Sequence, residues 1–348
     1  MGRLVEFQIG SRFVGDEHSP LVIAEIGINH SGSLGLAKLM VDEAARSGCE
    51  CIKHQTHFVD DEMTDEARKI VPAHVSESIW DIIEACALSP DDEIELKKYV
   101  ESKGMLYLST PFSRSAADFL NDIGVAAFKI GSGECDNLAL VEHVASFRKP
   151  MIVSTGMREI KDCFQTVDIL RSAGVNFALL ECTNAYPCLP EDISLKGISQ
   201  LQDSFPDAVV GFSDHSIGEH ISLAAVAMGA RIIERHFTDS MYRKGPDVIC
   251  SMDPVELRSL ILKSKDVFLA SRFLKSRTTS EVDVYNFARG SVVADKDLDA
   301  GSELTRDNTW VRRPGNGEIP AEDYFKVLGK KLVRPVKKNQ QLKLTDFE

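Results

Sequence analysis

Ala208-Val209-Val210-Gly211-Phe212-Ser213-Asp214-His215-Ser216 and Arg231-Ile232-Ile233-Glu234-Arg235-His236-Phe237-Thr238 are short apolar runs, each delivering a histidine at its downstream end. Between them, residues 219–229 are rich in Ala, Ile, Leu and Val and read as one helix. If the two runs are neighbouring parallel strands, His215 and His236 project from the carboxyl edge of one sheet, near enough to share a metal ion. That edge is where βα-barrel enzymes place their chemistry.

The same alternation extends outward in both directions. Strand-like runs occupy 21–26, 50–54, 105–109, 126–130, 151–154, 177–180, 208–212 and 231–235. Helix-like segments such as 34–47, 91–102, 115–123, 161–173 and 254–270 fill the gaps. Eight strands, each followed by a helix, predict an α/β fold of the TIM (β/α)8 type. The alternative, a doubly wound open sheet, lacks a GxGxxG after the first strand. Residues 4–14 read as a hairpin around Gly10-Ser11, and with it the barrel domain spans 1–270. A polar linker, 271–284, follows. Over 285–348 the apolar runs shorten to 291–294, 309–311, 332–336 and 341–344, which predicts a small, mostly β module. A core that thin is often stabilised by docking on a neighbour.

The net charge of -13 over 348 residues argues against a general binder of nucleic acid or anionic membrane. It leaves room for an anionic substrate held by a few local cations. The eight cysteines form no CxxC pair and read as reduced, buried thiols. The amino terminus has no apolar signal segment, and no apolar stretch reaches the roughly 18 residues of a membrane span, so a cytoplasmic location is expected.

Polar residues gather wherever a strand ends: Glu25, Lys53 and Gln55, Thr110, Lys129 with Ser132 and Glu134, Ser154, Asn184 and Tyr186, Ser213, His215 and His236. Lys53 and Lys129 with the hydroxyls of Thr110, Ser132, Ser154 and Ser213 are what a phosphate and a carboxylate require. Gly131 and Gly133 would admit backbone N–H groups close to such an anion. Any one hydroxyl can instead be a helix N-cap, and His215 and His236 can be hydrogen-bonded core histidines rather than ligands. As neutral imidazoles with oxygen ligands they suit Mn²⁺, Mg²⁺, Co²⁺ or Zn²⁺. Lys244-Gly245-Pro246-Asp247 reads as a turn that sets Asp247 over the mouth, within reach of sugar hydroxyls.

Taken in order, these segments resemble the sialic acid synthase family. The resemblance runs through Ala24-Glu25-Ile26-Gly27-Ile28-Asn29-His30, Lys53-His54-Gln55-Thr56-His57, Ser109-Thr110-Pro111-Phe112-Ser113 and Phe128-Lys129-Ile130-Gly131-Ser132-Gly133-Glu134. It continues through Ser154-Thr155-Gly156-Met157, Ser213-Asp214-His215, Glu234-Arg235-His236-Phe237-Thr238, Gly245-Pro246-Asp247 and Arg313-Pro314-Gly315-Asn316-Gly317, nearly the whole chain. It implies a TIM barrel followed by an antifreeze-like (SAF) domain that caps the partner's barrel in a domain-swapped homodimer. The implied reaction is that of an N-acetylneuraminate synthase: phosphoenolpyruvate, N-acetylmannosamine and water give N-acetylneuraminate and phosphate. In this reading Lys53, Thr110, Lys129, Ser132, Ser154, Asn184 and Ser213 hold phosphoenolpyruvate. His215 and His236 hold a divalent metal, with manganese favoured over magnesium or cobalt. Glu25, Gln55, Tyr186 and Asp247 orient the sugar and move protons, Glu134 holds a water, and Phe287 and Arg313 reach in from the partner chain.

His74 stands where the family pattern has an Asn that contacts the sugar, and Tyr186-Pro187-Cys188-Leu189-Pro190 and Arg289 also depart from it. Legionaminate or pseudaminate synthesis, with a diacetamido sugar as acceptor, is therefore the alternative. Two further rivals are a Schiff-base aldolase acting through Lys129 and a non-catalytic sugar-binding protein.

Overall fold

The computed structural model describes residues 4–71, 77–245 and 247–347. The chain forms two compact units, one ending at Arg272 and one beginning at Phe273. Among the described residues no helix is long and apolar enough to cross a membrane.

The first unit opens with a hairpin of β1 (Glu6–Ile9) and β2 (Arg12–Gly15). Eight parallel strands follow: β3 (Leu21–Gly27), β4 (Cys51–Thr56), β5 (Leu106–Pro111), β6 (Phe128–Ile130), β7 (Met151–Ser154), β8 (Phe177–Cys182), β9 (Val209–Asp214) and β10 (Ile232–His236). Strands consecutive in the chain are neighbours, and β10 pairs back onto β3 with Ile232 opposite Leu21 and His236 opposite Glu25. Only between β5 and β6 is the ladder of hydrogen bonds interrupted, so the sheet is a near-closed TIM barrel rather than a doubly wound sheet.

Side-chain alternation explains why one end of this barrel is core and the other a site. The inward residues of β3 run Leu21, Ile23, Glu25, and those of β10 run Ile232, Glu234, His236. β4 supplies Cys51, Lys53 and Gln55, β5 Leu106, Leu108 and Thr110, and β7 Ile152 and Ser154. The lower, apolar members form one buried cluster with Phe7, Ile9 and Val14 of the hairpin, which closes that end of the barrel. Each such side chain contributes about 1.5–3 kcal/mol by leaving water. Arg12 fixes the hairpin by donating to Glu50 at 2.8 Å and to the Ser19 carbonyl at 2.7 Å. The outward residues, among them Val22, Ala24, Ile26, Ile52 and Val153, pack beneath the surrounding helices. Gly211 lies where layers meet: a Cβ there would sit 2.4 Å from the Leu180 side chain and 2.5 Å from the Ile232 carbonyl.

The strands extend further toward their carboxyl ends than the apolar runs do. Gln55, Thr56, Thr110, Cys182, Ser213 and His236 lie within strands rather than after them. The reason is the polar upper layer, which ends an apolar run while the extended backbone continues.

In the second unit β11 (Ser291–Ala294) pairs with β12 (Thr309–Arg312), antiparallel, with Ser291 opposite Arg312. Val292, Leu304, Ile319, Val327, Leu332, Val336 and Leu342 are buried together around it. The expected strands at 332–336 and 341–344 are reduced to isolated bridges, Leu332–Phe347, Leu298–Val336 and Val293–Gln341. Pro335 lacks a donor for a ladder and Asn339 has a left-handed φ of 65°, so the expected β module is built as one short ladder with bridges. The stretch expected as a linker, 271–284, is partly ordered. A 3-10 turn (Thr279–Glu281) leads into a helix (Val282–Ala288), because Thr278 and Glu281 cap each other reciprocally.

On β8 the residue between Leu180 and Cys182 faces the helices and is acidic. Gly197 makes room for this Glu181, since a Cβ at 197 would stand 2.4 Å from its carboxylate oxygen. Burial raises the Glu181 carboxyl from its ordinary 4.5 to about 7. Because the folded state holds this proton longer than the unfolded chain does, stability falls as pH rises from 4.5 through 7. Glu181→Gln should therefore be more stable than the parent in urea unfolding above pH 7 and match it below pH 4.5. An equal gain at both ends would mean that packing, not ionisation, is responsible.

Candidate active site

The carboxyl ends of the strands surround a cavity of about 140 Å³. Its floor is a set of buried charges. Lys53 Nζ lies 3.0 Å from Glu25 Oε2 and 3.1 Å from Glu234 Oε1. Lys129 Nζ donates to Ser154 Oγ at 2.7 Å and to the Ile130 carbonyl at 3.0 Å, and stands 3.7 Å from the same Glu234 oxygen. Burial alone would raise the Glu234 carboxyl, but Lys129 and Lys53 outweigh it and pull it down to about 2. Burial would likewise depress the Lys53 ammonium, yet Glu234 and Glu25 hold it above its ordinary value. For Lys129, farther from a carboxylate, burial prevails and the value falls.

Glu234 was not among the site residues expected from the sequence. Its signal is positional: it alternates with Ile232 and His236 on β10, so an acid at 234 must face the barrel axis.

The imidazoles occupy the opposite rim. His215 Nδ1 is 2.8 Å from the Thr183 carbonyl, an acceptor, so Nδ1 carries the proton and Nε2 keeps its lone pair. His236 Nδ1 is buried without a hydrogen bond among the described residues and lies 3.8 Å from Asp247 Oδ2. The two ring centroids are 5.5 Å apart. Burial lowers both rings to about 4, with His236 adding to the effect on His215. Two neutral nitrogen donors at this spacing fit a divalent ion. Among the described residues no third His, Cys, Asp or Glu joins them in a ligand group, so water and substrate would complete its shell.

Other expected residues fall around these two halves. Gln55 Nε2 donates to Glu25 Oε1 at 2.9 Å. That contact depends on Gly27, whose φ is 41° and whose missing Cβ would lie 2.8 Å from the Glu25 oxygen. Thr110 meets Lys53 at 3.4 Å, Ser132 accepts from the Gly156 N–H at 3.1 Å, and Ser213 is 3.5 Å from Glu234. None of the hydroxyls of Thr110, Ser132, Ser154 and Ser213 caps an α-helix; Ser33, Ser89 and Ser113 do. Asn184 lines the cavity and takes the Cys182 thiol at 3.4 Å. The Tyr186 ring packs on His215 at 4.2 Å and is 44% exposed. Phe112 and Cys182 also line the cavity.

Glu134 departs from expectation: it accepts from Asn137 at 2.7 Å and is not part of the lining, because the turn Ser132–Glu134 carries it outward. His74 lies outside the described residues, as does Pro246. Phe287, 59% exposed, and Arg313 belong to the second unit. The loop after Arg313 is pinned there, with Ser291 Oγ donating to the Pro314 carbonyl at 2.8 Å and accepting from Gly317 N–H at 2.9 Å. Arg289 pairs with Glu322 at 2.5 Å.

Residues 40–273 match the NeuB family, and residues 289–348 match the SAF domain. The chain belongs to the NeuB family. It is 35% identical over 331 residues to the N,N'-diacetyllegionaminic acid synthase of Campylobacter jejuni, covering 93% of this chain and 98% of that one. It is 34% identical over 340 residues to human N-acetylneuraminate-9-phosphate synthase, covering 95% and 93%. Among solved structures, the N-acetylneuraminic acid synthetase of Leptospira borgpetersenii, in complex with citrate, aligns with a TM-score of 0.74 at 29% identity, covering 81% of this chain and 95% of that one. The site described above is thus that of a NeuB-family barrel in a chain that also carries a SAF domain.

The charge arrangement sets an order of sensitivity. Lys53→Met would leave Glu25 and Glu234 buried without their shared cation and should lower stability by about 3–5 kcal/mol. Lys129→Met should lose less, because Glu234 keeps Lys53 at 3.1 Å. Urea unfolding of the two variants measures this, and equal losses would refute the hierarchy.

Proposed function

We propose that this protein is an N-acetylneuraminate synthase, condensing phosphoenolpyruvate with N-acetylmannosamine and water to N-acetylneuraminate and phosphate. The observation that carries the reading is a buried pair of lysines sharing Glu234, ringed by hydroxyls, at the same mouth as two neutral imidazoles. Lys53 and Lys129 offer point charges, and Thr110, Ser132, Ser154, Ser213 and Asn184 offer directional bonds, for a ligand that is both phosphate and carboxylate. Glu234 lies within reach of both lysines and balances their charge. Glu25 and Gln55, hydrogen-bonded to each other, and Asp247 orient the acceptor's hydroxyls and accept or return protons there. Tyr186, stacked on His215, forms the wall beside them.

The methylene carbon of phosphoenolpyruvate forms the new bond to the sugar's aldehyde carbon. Water adds to the enol carbon, and the bond from that carbon to the bridging oxygen breaks, so phosphate leaves with that oxygen. A divalent ion held by His215 and His236, for which we propose Mn²⁺ with Mg²⁺ or Co²⁺ as substitutes, would supply Lewis-acid polarisation of the aldehyde. We further propose a domain-swapped homodimer in which Arg313 and Phe287 of the partner meet the acyl group of the sugar, and a cytoplasmic setting. The diacetamido acceptors of legionaminate or pseudaminate synthesis form the alternative, supported by the likeness to the Campylobacter diacetyllegionaminic acid synthase.

Phosphate release from phosphoenolpyruvate and Mn²⁺, measured across a panel of acceptors, tests the reading. N-acetylmannosamine should give the highest kcat/KM, and a preference for a diacetamido sugar would replace it with the alternative. With a heavy-oxygen label in the bridge, the label should appear in phosphate; label kept in the sugar would overturn the bond-breaking scheme. His236→Ala should abolish metal-dependent turnover with the urea midpoint preserved, and full activity in that variant would remove the ion from the mechanism.

One observation favours the aldolase rival: Lys129 has the lowered ammonium that imine formation needs. The same amine is spent on Ser154 and the Ile130 carbonyl. Borohydride trapping with pyruvate should give no adduct at Lys129, and a covalent adduct would reverse the assignment.

A further inference from the structure

The reaction leaves His57 without a task, yet it is braced on three sides. Its ring is buried and stacks on Phe112 at 4.5 Å and 13°. Its Nδ1 is 2.8 Å from Glu62 Oε2, and its Nε2 is 3.1 Å from Gln55 Oε1. Phe112 and Gln55 both line the cavity.

The directions of these bonds follow from what each group can do. A glutamine amide has one donating and one accepting end. The Glu25 carboxylate, already bound to Lys53 at 3.0 Å, only accepts, so the Gln55 nitrogen must face it. The Gln55 oxygen is then turned to His57 and needs a proton from Nε2. The Glu62 carboxylate also only accepts and needs a proton from Nδ1. Both ring nitrogens therefore donate, and the ring is a cation neutralised by Glu62. Were the Gln55 amide reversed, its oxygen would confront the Glu25 carboxylate, two acceptors with no proton between them.

We propose that His57, held by Glu62 and Phe112, is a positioning residue that locks the Gln55 amide, and through it the Glu25 carboxylate, in the orientation the acceptor sugar meets. The inference deepens the synthase reading and rests on it only in naming the sugar as what Gln55 meets. His57 itself touches neither substrate nor the reacting atoms. Its effect falls chiefly on the acceptor, because Lys53 keeps Glu234, and Lys129 keeps Ser154 and the Ile130 carbonyl, whichever way the Gln55 amide turns.

Two measurements on the full-length protein test it. Spectra of protein carrying nitrogen-15 histidine should show two ring N–H signals that vanish in His57→Phe. A single ring N–H assigned to His57 overturns the proposal, whatever the protein catalyses. In phosphate-release kinetics, His57→Phe and Glu62→Ala should raise the KM for N-acetylmannosamine roughly tenfold or more, the effect of freeing one buried polar group. The KM for phosphoenolpyruvate should move by less than about twofold. Glu62→Gln, whose amide nitrogen can donate to Nδ1 while Nε2 keeps its proton, should restore the acceptor KM toward the wild-type value. Parallel rises in both KM values, or a Glu62→Gln as impaired as Glu62→Ala, would mean a merely structural role and sink the idea. If His57→Phe does not fold, the Glu62 pair decides the kinetic question and the loss of one ring N–H in Glu62→Gln assigns the signals. If no acceptor supports turnover, the synthase reading fails, while the two N–H signals still decide the bonding of His57.

Discussion

Glu234 standing between Lys53 and Lys129, with Glu25 on the far side of Lys53, is the interaction on which the rest of the mouth depends. Each of these ions would cost several kcal/mol to bury alone. Together two cations and two anions sum to zero, so their burial in one layer is tolerated. The balance requires four side chains to arrive in one layer, and the parallel register supplies it. Glu25 lies opposite Lys53 on one neighbouring strand and opposite His236 on the other. An incoming anion must compete with Glu234 for the lysines, which makes binding depend on displacing charge rather than on filling a void. It also explains why the apolar half of the barrel matters to the chemistry. The hairpin plug and the tight layer at Gly211 keep water from reaching these ions from below.

What was legible in the sequence follows a physical line. Eight apolar runs separated by helical segments sufficed for the barrel, because a strand buried on both faces is apolar for most of its length. Carboxyl ends of strands were misplaced by a few residues, as at Gln55, Thr110 and Ser213, since those positions are polar exactly where they face the site and so end a run early. Glu234 was hidden for a related reason. In Ile232-Ile233-Glu234-Arg235-His236 an acid looks like ordinary punctuation until the alternation is tracked residue by residue. His57 was harder still, because its bracing depends on Glu62, which lies outside every motif, and on Phe112, which reaches it from another strand's end. In the second unit, 332–336 and 341–344 had the composition of strands, but ladder formation needs a partner and an unbroken row of donors, and Pro335 removes one.

The two halves of the mouth are built on different supports. The anion half sits on strands, and each of its side chains balances the charge of another, so that changing one leaves an unpaired ion in the barrel. The other part of the mouth hangs on connections beyond the strands: Tyr186 is 44% exposed and Asp247 leads into a turn, Val248–Cys250. A substitution there disturbs a local contact and little else, since a loop can be repacked without altering the scaffold beneath it. The strand-borne half is accordingly what this architecture holds fixed, and the loop-borne part what it leaves free to vary. Glu25 and Gln55 lie on the boundary. They share the charge balance of the strand-borne half and, through His57 and Glu62, gain a brace of their own, so their side chains are held from two directions.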